Sequence, residues 1–164
     1  MATAIFYTTS TGNTTEIATK LAEELGGIEV FDLSANLDKV EQYDKVILGA
    51  STWGDGDLND DLDEVWDEFC ELDFSGKNVA LFSLGDQEGY GDTFVDALGT
   101  IYEQVNSKGA NVVGFTSTDG YEYDESKAEI DGKFAGLVID EDNQDDLTDD
   151  RIKAWAEDIK GDIL

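Results

Sequence analysis

Five short apolar runs, with amphipathic segments between them, limit what this chain can fold into more than any other feature. Ala2–Tyr7, Ile28–Leu33, Lys45–Ala50, Asn78–Leu84 and Asn111–Phe115 are short enough and apolar enough to be strands covered on both faces. Between them, apolar residues recur at helical spacing. One set is Ile17, Ala18, Leu21, Ala22 and Leu25; a second is Leu62, Val65, Trp66 and Phe69; a third is Phe94, Leu98, Ile101, Tyr102 and Val105. A last set, Ile152, Trp155, Ala156, Ile159 and Ile163, follows Thr148, which can cap the helix it predicts. Asp38–Tyr43 is a polar connection with slight helical character. Strands alternating with helices require right-handed crossovers, hence a parallel sheet with helices on both faces. With 164 residues and no repeat, low-complexity tract or linker, one domain spanning 1–164 is expected.

The alternation lapses once. Thr116–Lys133 fits no helix, and Gly136–Ile139 is apolar again, either resuming the fifth strand or lying beside it. So long a stretch without regular structure reads as an excursion from the sheet edge.

Composition removes several chemistries. Histidine is absent, which excludes Ser-His catalysis, imidazole acid–base chemistry and most transition-metal sites. The single cysteine, Cys70, leaves no disulfide within the chain and no zinc or iron–sulfur cluster, so no metal is expected. Ten basic against 39 acidic residues give a net charge of −29. Nucleic acid and anionic membranes would be repelled, whereas a basic-faced protein would be steered in. A salty environment that screens self-repulsion would suit the same charge, and composition leaves both causes open.

The first run leads through Thr9-Ser10-Thr11-Gly12-Asn13-Thr14 straight into a helix, with Glu16 three positions beyond Asn13 as in a capped N-terminus. Unpaired N–H groups and the positive end of the helix dipole point at such a loop. Its four hydroxyls add donors, and Gly12 lets the backbone approach closely. It holds no Lys or Arg, so a phosphate would be met by neutral donors alone. The alternative is a polar turn ahead of a helix. The loops Ser51-Thr52-Trp53-Gly54-Asp55-Gly56-Asp57 and Gly85–Gly91 also leave the carboxyl ends of strands, where open parallel sheets bind ligands. Each carries one large aromatic, Trp53 or Tyr90, which together suit the two faces of a flat phosphorylated cofactor. Core tryptophans seldom sit among turn-forming Gly and Asp, although Tyr90 alone would read as a surface tyrosine. Trp66 and Trp155, on apolar helix faces, read as core.

These three loops, in this order, resemble those of the flavodoxins. Thr9–Thr14 matches the T-x-T-G-x-T phosphate loop, and Ser51–Gly56 and Gly85–Tyr90 resemble the two flavin loops. The likeness extends through Ser117–Tyr121 and Asp140–Ile152, and makes Thr116–Lys133 the insertion that splits the fifth strand in long-chain members. The implied fold is a three-layer α/β/α arrangement: a five-stranded parallel sheet of order 2-1-3-4-5 with an insertion in the fifth strand. That order, with FMN at its switch point, describes the family rather than being read from this sequence. The resemblance implies that Thr9, Ser10, Thr11, Gly12, Asn13 and Thr14 hold the phosphate of a non-covalent FMN. Trp53 and Tyr90 would flank its ring, and Asp86, Thr93 and Val95 would meet the pyrimidine end through backbone groups. Ser51, Thr52, Gly54, Asp55, Leu84 and Gly85 would complete the flavin loops, with Asp142 near the ribityl hydroxyls. The Gly54–Asp55 peptide would rotate on one-electron reduction, turning the Gly54 carbonyl to the flavin N5. Ser51 and Leu84 depart from the proline and the small residue that many members carry at these positions.

The implied function is that of a low-potential one-electron carrier rather than an enzyme, moving between semiquinone and hydroquinone in place of ferredoxin. Ferredoxin–NADP reductase, photosystem I, nitrogenase or a ketoacid oxidoreductase would be its partners, met across the acidic stretches Asp55–Asp73 and Asp119–Asp131. The rival reading is an FMN-dependent quinone or small-molecule reductase, for which the loops offer no histidine or lone reactive base. A nucleotide hydrolase lacks its Gly-Lys-Ser/Thr signature, and dinucleotide binding lacks G-x-G-x-x-G after the first strand. The chain opens directly on a strand and has no apolar run near twenty residues, so a soluble, cytoplasmic monomer without membrane insertion is expected.

Overall fold

The computed structural model describes residues 3–8, 13–53, 57–58, 60–85, 87–88, 91, 93–141 and 143–163, with backbone alone at 13, 51–53, 57–58, 60 and 61. The first half of the chain comprises β1 (Thr3–Tyr7), α1 (Asn13–Glu24), β2 (Glu29–Asp32), α2 (Leu37–Val40), β3 (Lys45–Trp53), β4 (Asp57–Leu58), α3 (Asp60–Glu64) and α4 (Trp66–Phe69). There follow β5 (Asn78–Leu84), α5 (Asp96–Ser107), β6 (Asn111–Val113), β7 (Thr116–Ser117), β8 (Glu129–Ile130), β9 (Lys133–Phe134), β10 (Leu137–Ile139) and α6 (Thr148–Ile163).

The central strands pair in parallel in the order β2-β1-β3-β5, and the fifth position is shared. β6 pairs with the first half of β5, from Asn78↔Asn111 to Ala80↔Val113. β10 pairs with the second half, from Leu137↔Phe82 to Ile139↔Leu84. This is the expected order 2-1-3-4-5 with a divided fifth strand. The chain after Gly136 therefore resumes that strand. A Cβ on Gly136 would lie 1.9 Å from the Leu81 carbonyl oxygen, so only glycine lets the returning segment close on β5. The excursion carries a small antiparallel sheet of its own, β7-β9-β8. Its β8–β9 hairpin turns on Asp131 and Gly132, with φ of 54° and 82°, the Asp-Gly pattern of a two-residue turn with both φ positive.

Successive strand residues face opposite layers. Ile5, Ile47, Ala80 and Phe82 pack with Ile17 and Leu21 of α1 and with Ile152, Trp155 and Ile159 of α6. Phe6, Leu48, Val79 and Leu81 pack on the other side with Val40, Leu62, Phe69, Leu98 and Val105 from α2 to α5. Trp155 is buried as expected, its indole N–H donating to the Gly114 carbonyl at 2.7 Å. Trp66 is partly buried against the same core as Phe69, its ring stacked on that of Phe69. The Thr148 hydroxyl donates to Glu141 Oε2 at 3.0 Å, tying the start of α6 to the chain just beyond β10.

Two helices differ from the periodic reading. The segment over Leu62–Phe69 breaks at Val65, whose φ of −108° and ψ of 11° leave the helical region; its N–H bonds to Leu62 O, three residues back. Like charges at i,i+4, Asp63 with Asp67 and Glu64 with Glu68, weaken a continuous helix here, while Leu62 and Phe69 remain buried. Phe94 is buried but precedes α5, because Val95 is left-handed (φ 46°, ψ 35°) and helical geometry starts after it. No helix among the described residues is long and apolar enough to cross a membrane.

Candidate functional site

The carboxyl ends of β1, β3 and β5 form one edge. Tyr7 is in register with Gly49, Ser51 with Leu84, and the Thr8 N–H donates to Gly49 O at 2.9 Å. α1 then begins at Asn13. Thr14, in its first turn, is fully buried, and its Oγ1 has no hydrogen-bond partner among the described residues. Leaving a buried hydroxyl unpaired costs about 1–3 kcal/mol. The first-turn amides of a helix likewise lack intrahelical partners. A hydroxyl donor beside such amides is a donor set that a phosphate completes, so this observation fits the phosphate expected at Thr9–Thr14.

β3 runs further than its apolar core suggests. Beyond Ala50, Thr52 and Trp53 pair antiparallel with Leu58 and Asp57 of β4. Thr and Trp are strong strand formers, and the Asp57–Leu58 segment supplies the partner that extends them. At the end of β5, Leu84 is buried and Gly85 donates its N–H to Ile139 O at 3.1 Å. A Cβ on Gly85 would lie 2.7 Å from Val95 Cγ1, so the two approach closely only because Gly85 lacks one. Val95 is also fully buried, and its left-handed backbone is sparsely populated for a β-branched residue, at a cost of about 1–3 kcal/mol. Such outliers gather where a site dictates the backbone. Thr93, partly exposed, accepts the Asp96 N–H on its carbonyl at 3.2 Å, just ahead of α5.

Of the expected site residues, the structure thus places Thr14 at the start of α1, and Ser51, Leu84, Gly85 and Val95 together at the ends of β3 and β5. Thr9, Ser10, Thr11, Gly12, Gly54, Asp55, Asp86, Tyr90 and Asp142 lie outside the described residues, as do the side chains of Asn13, Ser51, Thr52 and Trp53.

Behind this edge is a polar cluster that the sequence reading missed. Asp140, fully buried, accepts from the Gln87 backbone N–H at 3.1 Å, Gln87 Nε2 at 2.7 Å, the Asn143 N–H at 3.1 Å and Asn143 Nδ2 at 2.9 Å. The Asp-x-x-Asn spacing was a local signal for the Asn143 half, since an Asp side chain commonly accepts from a nearby following N–H. The Gln87 half spans 53 residues and has no local signal. Beside the cluster, Tyr121 donates its OH to Val138 O at 2.5 Å and lies under the Arg151 guanidinium, 4.1 Å from the ring centroid. Burial pushes its phenol up to about 12, and Arg151 opposes that rise.

The family described as Flavodoxin matches residues 5–155. The chain belongs to the flavodoxin family. It is 46% identical over 160 residues to the flavodoxin of Synechocystis, covering 95% of this chain and 94% of that one. The flavodoxin of Helicobacter pylori is 46% identical over 158 residues, covering 96% and 95%. The crystal structure of Fusobacterium nucleatum flavodoxin bound to flavin mononucleotide matches with a TM-score of 0.94 at 35% identity, over 99% of each chain. Flavodoxin membership therefore rests on the whole chain, insertion included, and not on the loop motifs alone.

Proposed function

We propose that this chain is a low-potential one-electron carrier acting through non-covalently held FMN, in place of ferredoxin, as a single FMN-binding unit over residues 1–164. The carrying observation is Thr14: a buried hydroxyl at a helix N-terminus, without a partner among the described residues, ending the stretch that matches the family's phosphate loop. When bound, FMN supplies electron transfer in single steps, and the protein supplies binding, orientation and electrostatics. Thr9, Ser10, Thr11, Gly12 and Asn13 would hold the phosphate with Thr14, through hydroxyls and backbone N–H groups. Trp53 and Tyr90 would cover the ring and exclude water. Asp86, Thr93 and Val95 would orient its pyrimidine end, and Asp142 the ribityl chain. Gly54, between Trp53 and Asp55, would turn its carbonyl toward a proton on the ring, a rotation that glycine tolerates better than other residues. Each carboxylate near the ring makes added negative charge less favourable, and so favours low potential.

The exposed acids Asp63, Glu64, Asp67, Glu68, Glu71 and Asp73, with Asp119, Glu122, Asp124, Glu125 and Asp131 on the insertion, support docking to basic-faced redox proteins. Ferredoxin–NADP reductase, photosystem I, nitrogenase and a ketoacid oxidoreductase are the candidates. We place the protein in the cytoplasm as a monomer. The visible spectrum of the purified protein, followed by a redox titration, tests the proposal. Flavin absorption and a second potential below that of free FMN are expected. A colourless chain that ignores added FMN, or a second potential no lower than that of the free cofactor, refutes it.

A further inference from the structure

Asp140 directly follows β10 and is fully buried, yet every partner named for its carboxylate above is a neutral amide. Four N–H donors meeting one side chain require an acceptor-only group, which a carboxylate is and an amide is not. Gln87 passes the contact outward: its Oε1 accepts the Glu122 N–H of the insertion at 2.6 Å. The backbone repeats the attachment, with Gly85 N–H on Ile139 O at 3.1 Å and Gln144 N–H on Asp140 O at 2.8 Å. One side chain therefore fastens the loop after β5, the insertion and the loop after β10 to the same strand end. In sequence, Asp86 lies between Gly85 and Gln87, and Asp142 immediately precedes Asn143. These are the positions expected to meet the pyrimidine end of the ring and the ribityl chain.

Packing alone would be served as well by an apolar residue, since a buried charge carries a large desolvation cost. What the charge adds is hydrogen bonds roughly twice as strong as neutral ones, and so a fixed geometry for both loops. We propose that Asp140 is a positioning residue for flavin binding, holding the loops that carry Asp86 and Asp142 against the end of β10 through Gln87 and Asn143. The proposal rests on the FMN reading above, and it concerns the ring and ribityl end of the ligand, not the phosphate.

The test uses the full chain stripped of flavin and titrated with FMN and, separately, with riboflavin, which lacks the phosphate. Wild type, Asp140→Asn and Gln87→Ala are compared by flavin fluorescence, with circular dichroism and thermal unfolding of the flavin-free proteins as folding controls. Asp140→Asn keeps the shape but sets an N–H against a donor. It is expected to weaken both ligands by the same factor, about tenfold, or about 1.4 kcal/mol. Gln87→Ala follows the same pattern with a smaller factor. Unchanged affinity in a folded variant overturns the proposal, as does a loss seen with FMN but not with riboflavin. A lower unfolding temperature with unchanged affinity also overturns it, since that is what a purely structural role gives. If Asp140→Asn does not fold, Gln87→Ala decides by the same outcomes. A wild type that binds no FMN refutes the cofactor reading and the proposal with it. A wild type that binds, with variants that bind equally, refutes the positioning role alone.

Discussion

Gly99 lies inside α5, where alanine is normally the better helix former, and by propensity alone Gly99→Ala should gain about 1 kcal/mol. The tertiary structure reverses the sign. A Cβ on Gly99 would lie 2.4 Å from the carbonyl carbon and oxygen of Lys127 and 2.7 Å from its Cβ. The two nearest are backbone atoms of the insertion and cannot rotate aside. Making room lifts residues 125–127 from α5 and strains three bonds that seat them there. Ser126 Oγ donates to Phe94 O at 2.5 Å, Lys127 N–H to Asp96 Oδ1 at 2.8 Å, and Phe94 N–H to Glu125 O at 3.3 Å. Burial already raises the Asp96 carboxyl above its ordinary range, with the Lys127 N–H as the chief opposing influence, so losing that donor leaves a buried acid poorly satisfied. Neutral bonds are worth about 1 kcal/mol each and one to a charged group about 1.5–3. Set against the helix gain, the expected net destabilisation is about 2.5–4 kcal/mol. Urea unfolding of flavin-free wild type and variant, followed by circular dichroism, reads this as a lower midpoint with unchanged slope. A neutral or stabilising Gly99→Ala would show that the insertion does not pack on α5 this closely.

The phenols of the insertion give a pH test. Tyr121 and Tyr123 are each pushed up to about 12, both first by burial, and Tyr123 further by its bond to Glu129. Because their folded values lie above the ordinary 10.0, the stability they contribute is complete below pH 10.0 and is lost as pH rises through about 12. Phenolate absorbance should show both ionising after ordinary tyrosines, and Tyr121→Phe should flatten the fall of stability in that window; simultaneous titration of every tyrosine would contradict this. Salt gives another. Among the described residues the ion pairs are Lys20–Asp149 at 3.0 Å and Lys160–Glu157 at 2.8 Å, both at the surface, against a net charge of −29. Salt at about 1 M cuts the Debye length to about 3 Å, from about 30 Å at 0.01 M. The thermal midpoint should therefore climb across a sodium chloride series, and a flat series would show that self-repulsion is not a strain on this fold.

Much of the fold was legible in the chain because periodicity is a local property of the backbone. The short apolar run Asn78–Leu84 identified a strand covered on both faces, where Leu81 and Phe82 now lie on opposite sides, and the spacing of Ile152, Trp155 and Ile159 identified the inner side of α6. The helix start at Asn13, straight after the hydroxyl-rich loop, was equally local, and Thr14 is where that reading meets a measurable feature of the structure. Other features depend on which distant segments meet. That Gly136 returns to β5 is decided by the Leu81 carbonyl, and the length of β3 by its pairing with β4. The break at Val65 came from like charges working against an apolar pattern that by itself favoured one helix. Asp140 in the sequence is one of 39 acids, and the partners that distinguish it include Gln87, 53 residues away. Local spacing was enough to say which residues face inward and where α1 begins, because both follow from backbone geometry within a few residues. Tertiary structure alone decided which buried groups are shared between loops, because a hydrogen bond across the fold depends on distance in space, which spacing along the chain does not encode.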